Sequence, residues 1–148
     1  MKEIIVQLFM AFSCSLGFAI VFGVRIGLMI PASLGATLSW AVYLLGIHCE
    51  KGIFISCLAG AAMAALYAEI QARIWKAPAT LFLVPALIPL IPGSTLYYTM
   101  SGVVGRNWEM ASDYGSRTLQ YALAIAAGIS LVWAVTSMIF HIVKKGNE

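Results

Sequence analysis

Charged residues divide this chain into five long uncharged runs, 4–24, 26–49, 52–68, 77–105 and 118–143, of 21, 24, 17, 29 and 26 residues. A helix needs about 20 apolar residues to cross the hydrocarbon core of a bilayer. The pattern therefore predicts about five transmembrane helices, near 4–24, 27–47, 52–72, 79–105 and 118–143, with short connections. The expected fold class is all-α: a polytopic membrane helix bundle forming a single integral membrane domain over residues 1–148. The first run starts two residues after Lys2, is longer than the apolar core of a secretory signal and shows no small-residue cleavage site, so it is read as a retained helix.

The third run carries the clearest internal pattern. Gly52, Ser56, Gly60, Ala64 and Ala68 recur every fourth residue and fall on one helix face. Small side chains let a second helix approach closely in a membrane, so this face is expected to pack against a neighbour, in this chain or in a partner subunit. Glu69 and Arg73 follow with the spacing of a helical ion pair.

The fourth run differs in kind. It is too long for one straight crossing, and it carries Pro85, Pro89, Pro92 and Gly93. Each proline inside a helix removes a backbone donor and clashes with the preceding turn, at a cost of ~3 kcal/mol or more. In hydrocarbon, freed backbone groups survive only where protein buries them or a wet cavity borders them. The expected arrangement is a half-helix over about 79–90, a break at "IPGS", and a second half-helix from about Ser94 to Gly105; the alternative is one kinked helix. The N-terminus of a half-helix offers uncapped N–H groups with partial positive charge, which suit a carboxylate. Ser94, Tyr97, Tyr98 and Ser101 fall on one arc of this half-helix, so they are the candidate lining of a substrate path. The competing reading has these hydroxyls bonding nearby backbone and the tyrosines sitting at the membrane interface.

"RNWEMASDYGSR", 106–117, is the one extended polar stretch and reads as a surface loop or short interfacial helix, with Arg106–Glu109 and Asp113–Arg117 at ion-pair spacing.

Composition narrows the function classes. The chain of 148 residues is 61% hydrophobic and 10% charged, with mean hydropathy +0.92, against about a quarter charged in soluble domains. Little remains for a water-soluble catalytic domain. No acid, base and metal set converges in the pattern, so neither an enzyme, a metal site nor a cofactor is expected. Cys14, Cys49 and Cys57 match no CxxC motif. The net charge of +3 is scattered over loops rather than gathered in a basic stripe, which argues against nucleic acid. Lys2, Lys51, Arg106 and Arg117 fall on one side of a five-span layout, and Arg25, Arg73, Lys76, Lys144 and Lys145 on the other. That near balance leaves orientation open; Lys144 and Lys145, next to the last span, favour a cytoplasmic C-terminus.

With Gly46 and His48 earlier in the chain, Pro78 opening the fourth run and "IPLIPGSTLYYTM" within it, the sequence resembles the threonine/serine exporter family over nearly its whole length. It is most similar to the small-subunit type, in which the C-terminal membrane domain of the fused exporters is a separate chain. The resemblance implies a bacterial inner-membrane location and a larger membrane subunit as partner, with a higher oligomer open. It also implies export of small amino acids or, in some split members, of dicarboxylates such as succinate. A structural subunit that only scaffolds its partner is the rival from another class.

Overall fold

The computed structural model describes the backbone of residues 2–145 and the side chains of residues 2–138. Among the described residues there are helices and no strands, and six α-helices follow in order. These are α1 (Lys2–Val21), α2 (Ile26–His48), α3 (Gly52–Trp75), α4 (Thr80–Leu87), α5 (Gly93–Val104) and α6 (Trp108–Lys145), with a 3-10 turn, Ile88–Leu90, after α4. Four of them, α1, α2, α3 and α6, are long and apolar enough to cross a bilayer. The fifth apolar segment is the pair α4–α5, bent by 57°. The protein is therefore a multi-pass membrane protein.

Small residues set the packing. Apolar attraction does not drive helices together in lipid, so close backbone approach must supply dispersion contacts and hydrogen bonds. The core cluster joins Ala32 of α2, Ala64, Ala65 and Ala68 of α3, and Phe82, Leu83 and Ala86 of α4. Phe82 is wholly buried, its ring filling the space the alanines leave. A Cβ on Gly60 would stand 3.0 Å from the Ser39 carbonyl oxygen and 3.3 Å from Leu90. One on Gly128 would stand 2.7 Å from the Leu58 carbonyl oxygen, which is how closely α6 crosses α3. One on Gly46 would meet the backbone of Ser56 at 2.9 Å.

The repeating face of α3 is thus occupied inside the chain. Ser56, Gly60, Ala64 and Ala68 are buried, with α2 and α4 against them. Those residues offer no surface to a partner subunit. Gly52 does not join them: it is exposed, and a Cβ there would meet nothing within 4 Å. Its role is conformational, since φ is +78° at the first residue of α3 and only glycine adopts that region at no steric cost.

Residues 108–117 also differ from the expectation of a surface loop or separate interfacial helix: α6 runs through them without a break. The Asn107 side chain accepts the Met110 N–H at 3.1 Å and so caps the helix. Gly102 of α5 lets the Ala111 backbone come within 2.8 Å of where a Cβ would be, fastening α6's first turns to α5. Asp113 and Arg117 form their ion pair at 3.2 Å, as do Glu69 and Arg73 at 3.4 Å. Among the described residues Arg106 and Glu109 do not pair; Arg106 occupies the turn with φ +53°. The Lys144 and Lys145 side chains, on which orientation was argued, lie outside the described residues.

Candidate functional site at the helix break

The break is narrow. α4 ends at Leu87, the 3-10 turn covers Ile88–Leu90, Ile91 is extended, Pro92 stands at the N-cap and α5 starts at Gly93. Pro85, expected among the breakers, instead lies buried inside α4. A proline's cost within a helix falls when neighbouring helices satisfy the freed groups. Pro89 has no N–H to give the Pro85 carbonyl, and the buried Ser15 hydroxyl of α1 donates to that oxygen at 2.9 Å. The Ser39 hydroxyl of α2 donates to the next carbonyl, Ala86, at 2.7 Å. Two serines on neighbouring helices thus anchor the carbonyl side of the break.

The amide side is left open. α5 has no side-chain cap, and its first backbone bonds run from Gly93 N–H to Ile91 and from Leu96 N–H to Pro92. The Ser94 and Thr95 N–H groups therefore have no backbone acceptor among the described residues. The Thr95 hydroxyl does not cap the helix either; it donates to the Pro92 carbonyl at 3.1 Å. Gly93 keeps a negative φ, and a Cβ there would meet nothing within 4 Å, so neither conformation nor packing inside this chain demands glycine.

Ser94 and Thr95 border a cleft of about 120 Å³. Ser94, Thr95 and the turn Pro89–Pro92 form one wall; Trp40 and Tyr43 of α2 and Tyr121 of α6 form the other. Trp40 and Tyr43 are three apart, so α2 presents them together, with ring centroids 4.9 Å apart. The Tyr43 and Tyr121 hydroxyls share a hydrogen bond at 2.8 Å. The Trp40 indole N–H is buried and has no partner among the described residues. Ser39 and Trp40 lie just past the midpoint of α2. No charged side chain lines it.

Of the four residues expected to line a path, the structure brings only Ser94 to this cleft. Tyr97, Tyr98 and Ser101 do not line it and are exposed, Tyr97 to 68% and Tyr98 to 43%. The Tyr98 ring packs on Tyr97 at 5.5 Å and on Tyr114 at 5.1 Å. The hydroxyls of Ser94, Tyr97, Tyr98 and Ser101 have no hydrogen-bond partner among the described residues.

Trp40, Tyr43, Thr95 and Tyr121 did not emerge from the sequence reading. A faint signal existed: Trp40 and Tyr43 sit in mid-span, far from the membrane surfaces where Trp and Tyr concentrate. Tyr121 had no such signal, because a helix starting near 118 would put it at the interface.

A bundle of apolar helices long enough to cross a membrane, with a broken pair beside a small cleft lined by no charged side chain, is an arrangement that many membrane transporters share. The family described as Threonine/Serine exporter, ThrE, matches residues 7–135, and the chain belongs to that family. No curated protein and no solved structure matches it.

Proposed function

We propose that the chain is the small subunit of a two-component exporter in a bacterial inner membrane, moving a small carboxylate-bearing metabolite of the threonine/serine type. Residues 1–148 would act as one integral membrane domain with the C-terminus in the cytoplasm. The observation that carries the reading is the asymmetry of the break: its carbonyls are held by Ser15 and Ser39, while the Ser94 and Thr95 amides are left free at a cleft. Such amides at a helix N-terminus are a ready anion site, and a carboxylate is the anion an amino acid supplies.

The outer face of α5 supports a larger membrane partner. Among the described residues only α6 packs extensively on α5, which also presents Ser94, Tyr97 and Ser101, exposed and with unpartnered hydroxyls. Polar groups left unpaired in hydrocarbon cost free energy, so a protein surface that completes the path is a better neighbour than lipid. The wholly scaffolding role loses its main surface, because Ser56, Gly60, Ala64 and Ala68 pack internally. Dicarboxylate export stays the alternative substrate class.

The test is export of labelled threonine, serine and succinate from loaded cells, with and without the larger membrane subunit. Threonine and serine efflux should require both chains. Equal flux from the chain alone would overturn the two-component reading, and succinate efflux without amino-acid efflux would replace the substrate class.

A further inference from the structure

The contacts between helices fix where the cleft lies along the bundle. α2 ends and α3 begins around residues 49–51, and beside that turn the two helices close tightly, with Gly46 against Ser56. Gly60, which faces Ser39 and the cleft residue Leu90, follows Gly52 by about two helical turns, or ~12 Å. The α5–α6 hairpin reaches the same end of the bundle. α5 runs out from the break, the chain turns at 105–107, and α6 runs back along it, with Gly102 against Ala111 and Gly115 against Thr99. α6 then meets Tyr43 through Tyr121, Leu58 and Ala61 through Gly128, and the cluster of Ala64, Ala65 and Ala68 through Ile129 and Val132, so it runs parallel to α3. The turns 49–51 and 105–107 therefore share one end, and the connections 22–25 and 76–79 lie at the other.

The two directions out of the cleft differ. Toward 22–25 and 76–79 the way is solid: Leu90 lines the cleft at 2% exposure, and behind it Ala86 and Phe82 are wholly buried against Ala32, Ala64, Ala65 and Ala68. Toward 49–51 no such packing occurs among the described residues. Beyond the break the bend of 57° carries α5 off the line of α4, and α5 packs extensively on α6 alone, with no comparable seam to α2. Ser94, on the cleft wall at the start of α5, is exposed.

We propose that the cleft is reached from the membrane face bearing the 49–51 and 105–107 turns and is closed to the opposite face, so that this structure is one end state of alternating access. The inference rests on the reading that the chain is an exporter subunit whose cargo binds in the cleft. Because α6 runs parallel to α3, the C-terminus leaves at the closed end. With the C-terminus in the cytoplasm, the open face is the outer one, and the state is the one from which an exporter releases its cargo.

The chain carries its own marker for the open face, since Cys49 is exposed in the 49–51 turn. Single-cysteine chains are compared within the full exporter in membranes of its own host: Cys49 alone, Lys76→Cys as marker of the opposite face, and Ser94→Cys in the cleft. Thr95→Cys serves as a second cleft probe should Ser94→Cys not assemble. A membrane-impermeant maleimide is added to spheroplasts and, separately, to inside-out vesicles. The cleft probe should react from the side that labels Cys49 at least about tenfold faster than from the side that labels Lys76→Cys, the ratio expected when the opposite state holds about 10% of the population or less. Threonine on the Cys49 side should slow that reaction severalfold. Faster reaction from the Lys76→Cys side, equal reaction from both sides, or no reaction of either cleft probe overturns the assignment. Sided reaction that saturating threonine, serine and succinate all leave unchanged keeps the access route and instead refutes the cleft as the place where the cargo binds.

Discussion

The two halves of the chain are built on opposite terms. In α2, α3 and α4, alanine, glycine and serine bring backbones together around Phe82, and the Pro85 and Ala86 carbonyls at the break find serine partners. In α5 the one buried residue is Gly102, where α6 comes close, while aromatic and hydroxyl side chains face outward. The cleft lies where these halves meet, with Trp40 and Tyr43 on the packed side and Ser94 and Thr95 on the open one. The difference teaches that a broken helix can have one half packed on three helices and the other on α6 alone, among the described residues. Proteins place their moving and binding elements in such regions of few buried contacts.

If the contrast is real, substitutions in the packed half should cost stability and those in the open half should not. The largest effect is expected at Gly60→Leu. The added side chain would strike the Ser39 carbonyl and Leu90, separating α3 from both α2 and the break. Overpacking of this kind costs about 1–3 kcal/mol and can exceed that where backbone blocks relaxation. Detergent-solubilised protein should lose its monodisperse peak or melt well below wild type, whether or not a partner is co-expressed. A stable Gly60→Leu variant would show that the seam is looser than described.

Next come Ser15→Ala and Ser39→Ala. Each removes the hydroxyl bound to a carbonyl at the break, and hydrogen bonds within membrane proteins contribute about 0.6 kcal/mol on average and up to about 1.7. The double variant should lose more than either single one, measured by unfolding in mixed micelles. Wild-type stability in the double variant would mean that the break is held by packing alone.

A comparable or smaller loss, about 1 kcal/mol, is expected for Asn107→Ala, which removes the cap of α6 in the open half. Hydrogen exchange should rise in the first turns of α6 and not in α3. Increased exchange across the whole bundle would contradict the separation of the halves.

The smallest effect is expected at Gly93→Ala. The negative φ and the open space around it make alanine compatible, so folding and membrane level should match wild type within about 0.5 kcal/mol. Transport measured alongside then isolates what approaches this backbone from outside the chain. Loss of export with normal stability would point to a substrate or partner at van der Waals distance from Gly93, whereas loss of stability would show that the glycine is needed by the fold.

The sequence by itself determined the class of the protein, the number of apolar segments and the location of the break. These are local matters: lengths of uncharged runs are set by bilayer thickness, and Pro89, Pro92 and Gly93 cluster whatever surrounds them. The small-residue face of α3 was legible for the same reason, since helical periodicity needs no partner to be recognised. What covers that face was decided only by tertiary structure, which turned α2 and α4 onto it. Pro85 shows the limit most clearly. It sits inside α4, and its own carbonyl, which Pro89 cannot serve, is bonded by Ser15 from seventy residues earlier in the chain. The cleft was likewise invisible, because Trp40, Ser94 and Tyr121 lie on three separate elements with no shared period. Periodicity places a residue on a face of its own helix; only the packing of helices decides what that face meets.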